Sequence, residues 1–227
     1  RRFLSVPAIV DDNLVGQIAL ANAPQDYTAA DLDITQRLAT LYGAAVYQQQ
    51  LKEKFHFLSM HDPMTGLHNR RYYEEALHQL KEARHFPVSI IMCDIDRLKN
   101  VNDQNGHADG DEVLRRAARL LRSAFRVEDI VARIGGDEFV VVLAHTPAEA
   151  AAEAIRRVSA LIDLDNIKSP PPPVLVSLGI ATAQNKEQLG EAVKKADAAM
   201  YLEKQNRRQI IAQANEAPTL PIQSFSE

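Results

Sequence analysis

The chain has 227 residues, about one and a half times the ~150 residues of a typical domain, so we expect it to hold more than one domain. It carries 26 Lys and Arg against 30 Asp and Glu, a formal charge of -4, which argues against a general nucleic-acid coat protein because such proteins need a strongly basic face. The single cysteine, Cys93, excludes a disulfide within the chain and is typical of a reducing compartment. The sequence shows neither a leader nor an apolar run near the ~18 residues of a membrane span. We therefore predict a cytoplasmic location.

The first sixty residues predict a hairpin followed by one long helix. Residues 4–10 and 14–20 are apolar, β-rich runs separated by Asp11-Asp12-Asn13, the pattern of a hairpin with a polar turn. Thr28 stands where an N-cap is expected, with Asp31 three positions later, and the helix is predicted from about residue 30 to 60. Apolar residues spaced by four and three form a seam that favours a coiled coil or inter-domain connector, while an amphipathic helix packed on its own domain stays open: Ile34, Leu38, Leu41 and Ala45.

Beyond Pro63 and Gly66, strand patterns and helix patterns alternate, which predicts an α/β (α+β) domain with one sheet covered by helices. The predicted helices are 69–84, 97–104, 108–124, 147–162 and 187–205, and the predicted strands are 88–93, 130–134, 139–143, 174–180 and 209–211. Residues 213–227, with two prolines and no Lys or Arg, are predicted to be a loose tail.

Two acidic motifs lie at the ends of predicted strands. Asp94 and Asp96 end a buried strand and project to one face, and Gly135-Gly136-Asp137-Glu138 turns between two apolar runs. The glycines suit a tight reversal, and we expect the backbone shape to require glycine at Gly136. Pairing of the two strands would bring Asp94 and Asp137 together, and converging carboxylates without Cys or clustered His favour Mg²⁺ or Mn²⁺ and phosphoryl chemistry on a nucleotide. Taken singly, each motif is equally compatible with a solvated acidic turn.

The run 135–139 is identical to the signature of the GGDEF family of diguanylate cyclases, and the chain resembles that family over residues 61–212. The other motifs that carry the resemblance are 62–70, 94–103, 106–111, 176–181 and 196–201. The resemblance implies a nucleotide-cyclase-like domain, in which helices cover a central, mainly antiparallel sheet.

The resemblance also implies roles for single residues. It makes Asp94, the main-chain carbonyl of Ile95 and Asp137 the ligands of Mg²⁺ (or Mn²⁺), and it makes Asp137 and Glu138 the catalytic carboxylates at the 3′-hydroxyl of GTP. Asp96 then supports the site without binding the metal. Leu98 and Arg97 are implied to bind GTP through their backbone. The other implied GTP-binding residues are Lys99, Asn102, His107, Asp111, Lys204 and Arg208. Arg207 and Gln209 depart from the family, which has Gly and Asn there, so the end of the last helix can differ in shape.

The resemblance further implies the partners and the regulation. Two GTP molecules, one held by each of two protomers, condense into cyclic di-GMP. A homodimer is therefore expected, and the long helix is placed to impose it. Arg126 and Asp129 match the family's inhibitory product site, where cyclic di-GMP would bind. Residues 1–47 resemble the carboxyl-terminal part of a GAF sensor domain, joined by the connector 30–60. The rival interpretations are a catalytically silent GGDEF module that binds cyclic di-GMP or GTP, and a related cyclase that makes a cyclic mononucleotide.

Overall fold

The computed structural model describes residues 2–82 and 86–216, and the chain divides between Ser59 and Met60 into two compact units. The elements, in chain order, are β1 (Phe3–Val10), β2 (Asn13–Ala21), α1 (Ala29–Met60), β3 (His68–Asn69), α2 (Arg70–Glu82), β4 (Val88–Ile95), α3 (Leu98–Asn105), α4 (His107–Ala124), β5 (Ile130–Arg133), β6 (Glu138–Leu143), α5 (Ala148–Lys168), β7 (Val176–Ala183) and α6 (Leu189–Glu216).

The first unit contains the hairpin of β1 and β2, which pair antiparallel as predicted. The two residues between them, Asp11 and Asp12, have positive φ values of 48° and 63°. Two positive φ values in a two-residue loop are typical of a type I′ turn, whose twist matches that of the flanking strands. The acidic pair therefore sets the register of this hairpin.

Helix α1 begins at a reciprocal cap. The Thr28 amide donates to Asp31 Oδ2 at 2.7 Å, and the Asp31 amide donates to Thr28 Oγ1 at 3.2 Å, which satisfies two of the free amides of the first turn. Ala39 packs on Val6 and Ala8 of the hairpin, whereas the predicted apolar seam lies elsewhere on the helix. Of that seam, the three large side chains remain exposed: Ile34, Leu38 and Leu41.

The second unit is built on a five-stranded sheet of order β3-β5-β6-β4-β7. Only the two-residue strand β3 pairs parallel, with β5, and the other neighbours are antiparallel. Every residue of β4 is buried, because successive side chains enter two cores on opposite faces. Ile91 and Cys93 pack with α4 and α5, while Ile90 and Met92 pack with α2 and α6. The predicted class, one helix-covered sheet that is mainly antiparallel, is confirmed.

The predicted strand 209–211 is wrong, because α6 continues through it to Glu216. Arg207 and Gln209 are good helix formers, whereas the glycine that the family pattern has at position 207 would favour an end to the helix. The predicted loose tail is also wrong for residues 213–216, which are helical, and residues 217–227 lie outside the described part of the chain. Among the helices described, none combines the length and the apolar character needed to cross a membrane.

Candidate active site

The two acidic motifs meet at one edge of the sheet. Strand β4 lies antiparallel beside β6, with Asp94 opposite Glu138 in the register. Past the last residue pair of this ladder, the Ile95 amide donates to the Asp137 carbonyl at 2.9 Å. The strand pairing expected from the sequence is therefore present, and it brings the ends of the two motifs into contact.

The turn before β6 is closed by main-chain hydrogen bonds. The amides of Ile134 and Gly135 both donate to the Glu138 carbonyl, at 2.9 and 3.3 Å. A Cβ at Gly135 would lie 2.3 Å from Glu138 Oε2, so a side chain there would displace the Glu138 carboxylate. Gly136, in contrast, has open space around it and lies outside the left-handed region. The expectation that backbone shape requires glycine at Gly136 is thus wrong, and of the two glycines Gly135 is the one in close contact with a side chain.

The side chain of Asp94 is buried, with 6% of the residue exposed. Lys204 of α6 donates to Asp94 Oδ1 at 2.5 Å. Burial raises the pKa of Asp94, and the Lys204 ammonium opposes that rise, while the nearby charge of Asp137 adds to it. The ammonium thus favours the charged form of a buried carboxylate at this edge of the sheet.

Asp96 has its own partner. Both of its carboxylate oxygens accept from the Ser177 hydroxyl at 2.9 Å, and its amide donates to the Leu175 carbonyl at 2.8 Å. Ser177 lies opposite Asp94 in β7. The Asp96 carboxylate therefore ties the end of β4 to β7.

A cavity of about 650 Å³ opens beside these carboxylates. Its lining is more basic than acidic, a charge balance that suits a polyphosphate better than a neutral ligand. The lining residues are Ile95, Asp96, Arg97, Leu98, Lys99, Asn100, Asp137, Leu175, Lys204, Arg207 and Arg208.

The turn from β4 into α3 forms part of the lining of this cavity. Arg97 precedes α3 with φ 59° and ψ 20°, a left-handed conformation that is uncommon for a residue with a side chain. The tight turn lets α3 begin at Leu98, directly beside the carboxylates. Because the first amides of a helix have no partners within it, this end can bind phosphate oxygens. Lys99 adds a cation in the first turn.

The predicted guanine-reading residues lie on α3 and α4, outside the cavity lining. The Asn102 amide group packs against α4 at Gly110, where a Cβ would come within 1.9 Å of Asn102 Oδ1. Asp111 follows directly and has Arg115 Nη2 at 3.7 Å, and His107 is the exposed first residue of α4. Gly110 therefore allows the Asn102 side chain to lie close against α4.

The Arg133 side chain links the turn to Asp62 in the first motif of the domain. We call this contact the Arg133 latch, and the sequence interpretation missed it. Arg133 donates from Nη2 to the Gly136 carbonyl at 2.7 Å and from Nη1 to Asp62 Oδ1 at 3.1 Å. Asp62 Oδ1 also accepts from the Thr65 amide and hydroxyl. Although burial raises the pKa of Asp62, the Thr65 hydrogen bonds and the Arg133 guanidinium together hold it below its usual value. The available signal was an arginine two residues before Gly135 and an aspartate that opens the first motif.

The carboxylates suit a hard cation. Within residues 2–82 and 86–216 no three His, Cys, Asp or Glu side chains converge as a metal cluster. The predicted set of Asp94, the Ile95 carbonyl and Asp137 needs only two carboxylates, and all its donors are oxygens. Such a set fits Mg²⁺, which keeps several waters and binds substrate phosphates. The residues present therefore fit the ion that the sequence predicts.

The predicted inhibitory site forms a turn between α4 and β5. Asp129 Oδ2 accepts from the Arg126 amide at 2.9 Å, and Arg122 Nη1 donates to the Asp129 carbonyl at 3.0 Å. The Arg126 side chain is 81% exposed, with Glu128 Oε1 3.9 Å from it. Hydrogen bonds to Asp129 hold the backbone of this turn, and the Arg126 guanidinium is exposed to solvent.

Comparisons with known proteins agree on one family. Residues 59–210 match the family model described as "Diguanylate cyclase, GGDEF domain". The diguanylate cyclase DgcM of Escherichia coli K12 is 37% identical over 168 residues, which are 71% of this chain and 40% of DgcM. Diguanylate cyclase A of Treponema denticola is 31% identical over 215 residues, 89% of this chain and 57% of that protein. The chain thus spans about half the length of these curated relatives.

A solved microbial GGDEF domain shows a similar fold. Its TM-score is 0.58 at 29% identity, and the match covers 67% of this chain and 94% of that one. Its description reports an interaction mode between that domain and cyclic di-GMP.

Proposed function

The chain belongs to the GGDEF family of diguanylate cyclases, and from that premise we propose that it condenses two GTP molecules into cyclic di-GMP and two pyrophosphates. The observation that carries the proposal is the meeting of Asp94 and Asp137 at one sheet edge, beside a basic cavity of about 650 Å³. Two carboxylates next to a cluster of cations suit attack on the α-phosphorus of a nucleoside triphosphate, with transfer of the nucleotidyl group and release of pyrophosphate.

The acidic residues surround the reacting centre. Asp94, the carbonyl of Ile95 and Asp137 would hold Mg²⁺ or Mn²⁺, which when bound neutralises phosphate charge and lowers the pKa of a coordinated hydroxyl. Asp137 would orient the attacking 3′-hydroxyl, with Glu138 as the supporting carboxylate. Lys204, which contacts Asp94, adds the nearest positive charge.

The remaining residues bind the nucleotide. The Leu98 amide and Lys99 at the start of α3, with Lys204 and Arg208 of α6, would bind the triphosphate. Asn102 and Asp111 would read guanine, because a carboxylate accepts from N1 and N2 while an amide serves O6 or N3. His107, at the start of α4, would lie near the ribose or base.

The chemistry requires two protomers. In each of two steps a 3′-oxygen bonds to the α-phosphorus of the other GTP, the α–β phosphoanhydride bond breaks, pyrophosphate leaves, and the hydroxyl proton passes to solvent. Since each protomer holds one GTP, two sites must face each other. The exposed seam of α1 that includes Leu38 and Leu41 offers a surface for this homodimer, so we expect the specific activity to fall on dilution.

The test is to incubate the protein with GTP and Mg²⁺ and to identify the product by chromatography. Cyclic di-GMP is the expected product. GTP binding without turnover would instead support a silent effector module, and cyclic GMP would support a mononucleotide cyclase. A parallel assay with Mn²⁺ and one without divalent cation test the metal, because turnover without a divalent cation contradicts the proposed metal site.

Replacing Gly110 by alanine should separate nucleotide binding from stability. The added methyl group displaces the Asn102 amide, so we expect the KM for GTP to rise roughly tenfold, as for loss of one or two hydrogen bonds to the base. The kcat should change less, and the melting temperature should not fall, because alanine favours a helix over glycine.

Gly190→Ala is the matched control, since it changes another helical glycine, one with open space around it. It should leave both kinetic constants unchanged. A Gly110→Ala enzyme with the wild-type KM would show that the position of the Asn102 amide does not matter for GTP.

We also propose that cyclic di-GMP inhibits the enzyme at Arg126 and Asp129. A guanidinium can donate to guanine O6 and N7, and a carboxylate can accept from N1 and N2. Arg126→Ala should therefore raise the inhibition constant of cyclic di-GMP by about 10- to 100-fold while the uninhibited rate is retained, because that side chain is exposed. Arg71→Ala, at another exposed arginine, should leave inhibition unchanged. Unchanged inhibition in Arg126→Ala would refute this site.

The amino-terminal unit would carry regulation. We propose that the hairpin of β1 and β2 with α1 is part of a GAF-type sensor and that α1 transmits its state to the cyclase. The exposed apolar residues of α1 support a connector, since a helix packed only on its own unit would bury them. The cytoplasmic location, where GTP is available, remains a prediction from the sequence.

A further inference from the structure

Helix α6 brings one more cation to the cavity than the family pattern provides. Arg207 and Arg208 lie three and four positions after Lys204, so the three side chains lie on one side of the helix. All three line the cavity. Lys204 and Arg208 correspond to the expected phosphate-binding pair. Arg207 stands where the family pattern has glycine, so no role is assigned to it.

The guanidinium of Arg207 is held in place. Its Nε donates to Glu203 Oε1 at 3.0 Å, and its Nη2 lies 2.8 Å from the same oxygen. The other oxygen of Glu203 accepts from the Leu178 amide at 2.9 Å. Leu178 lies opposite Cys93 in the sheet, next to the row that contains Asp94. Glu203 thus tethers Arg207 to the strand beside the reacting carboxylate.

This tether leaves the guanidinium able to bind a second anion. A guanidinium has five N–H groups in a planar fork that matches carboxylate and phosphate oxygens, and Glu203 contacts two of its nitrogens. An arginine already ordered by a neighbour loses less conformational entropy when a ligand binds. An Arg–Glu pair on an open helix surface would give no reason to expect a bound anion. Arg207, however, lines a cavity whose lining contains five basic residues and two acidic ones.

The position along the helix selects the part of the substrate. Lys204 contacts Asp94 of the proposed metal site, whereas Arg207 lies nearly one helical turn, about 4.5 Å along the axis, beyond Lys204. We propose that Arg207 is a further substrate-binding residue, which contacts the β- and γ-phosphates of GTP and then the pyrophosphate that leaves. This proposal rests on the proposed function, because it takes the occupant of the cavity to be a nucleoside triphosphate.

The test uses pyrophosphate itself. Titration of the full chain with Mg²⁺-pyrophosphate in a calorimeter should show binding that is roughly tenfold weaker in Arg207→Met, the loss expected for one charge-assisted hydrogen bond. In the GTP assay the same variant should show a similar rise in the KM for GTP and in the inhibition constant of pyrophosphate, with kcat changed less than about threefold. Arg207→Lys should restore part of the affinity, because it keeps the charge and loses the fork.

Arg156→Met is the control, since Arg156 pairs with Glu153 on the surface of α5 outside the cavity lining. It should bind pyrophosphate like the wild type. Equal pyrophosphate affinity in Arg207→Met and the wild type, or no binding by the wild type at millimolar concentration, would overturn the proposal. Weaker binding in Arg207→Met would support it even if the wild type made no cyclic di-GMP, and that result would count against the proposed function alone.

Discussion

Replacing Asp137 by asparagine is expected to lower cyclic di-GMP synthesis by about 10³-fold or more, with the fold unchanged. The substitution keeps the shape of the side chain and removes the negative charge that both the metal and the attacking hydroxyl require. Asp137 is partly exposed and lies on a turn whose main-chain atoms bond to one another and to Arg133, so the melting temperature should move by less than about 2 °C. The measurement is product formation from GTP and Mg²⁺, with a thermal melt of the same sample.

Asp197→Asn is the matched control, because Asp197 is an exposed aspartate of α6 that does not line the cavity. It should keep the wild-type rate. Turnover in Asp137→Asn within a few-fold of the wild type would contradict the assignment of the active site.

The same variant separates an enzyme from a silent module. An active cyclase uses the charge of Asp137, so Asp137→Asn should lose turnover and also bind Mn²⁺ more weakly. Mn²⁺ binding can be followed by the electron paramagnetic resonance signal of the free ion. If the wild type binds GTP without turnover and Asp137→Asn binds it equally well, then the carboxylate serves no ligand, and an effector role is favoured.

Local patterns in the sequence were enough to predict most of the elements. The hairpin followed from two apolar runs around Asp11 and Asp12, and the start of α1 followed from Thr28 and Asp31, because each feature is decided by residues close together in the chain. The meeting of Asp94 with the GGDEF turn was also predictable, since it needs only one correct strand pairing.

Features that depend on distant contacts or on the absence of a side chain could not be predicted. Arg133 and Asp62 are 71 positions apart, and nothing in their spacing indicates contact. The crowding at Gly135, which Gly136 lacks, depends on where the Glu138 side chain lies. The end of α6 was predicted wrongly because the apolar residues 210–211 also suit a strand, and periodicity alone cannot decide so short a run.

The Arg133 latch provides the second large expected effect. Arg133→Lys should lower kcat by about 10²-fold, because one ammonium cannot span the Asp62 carboxylate and the Gly136 carbonyl, and a displacement near 1 Å at the adjoining Asp137 has a cost of that order. Arg133→Met should lose as much activity and also destabilise the fold by about 2–4 kcal/mol, since it leaves the largely buried Asp62 without its cation. Steady-state kinetics and urea unfolding measure the two effects separately.

Arg116→Met distinguishes a latch on the turn from general support of the fold. Arg116 is also a buried arginine that binds a carboxylate and a main-chain carbonyl, those of Asp165 and Pro172, but it lies outside the cavity lining. We expect Arg116→Met to lose comparable stability and, where it is folded, to keep its kcat. If Arg133→Lys also kept its kcat, then the main-chain bonds of Ile134 and Gly135 would be enough to place Asp137. If it lost kcat while its unfolding free energy stayed near the wild-type value, then the first motif of the domain would control catalysis through the geometry of the turn.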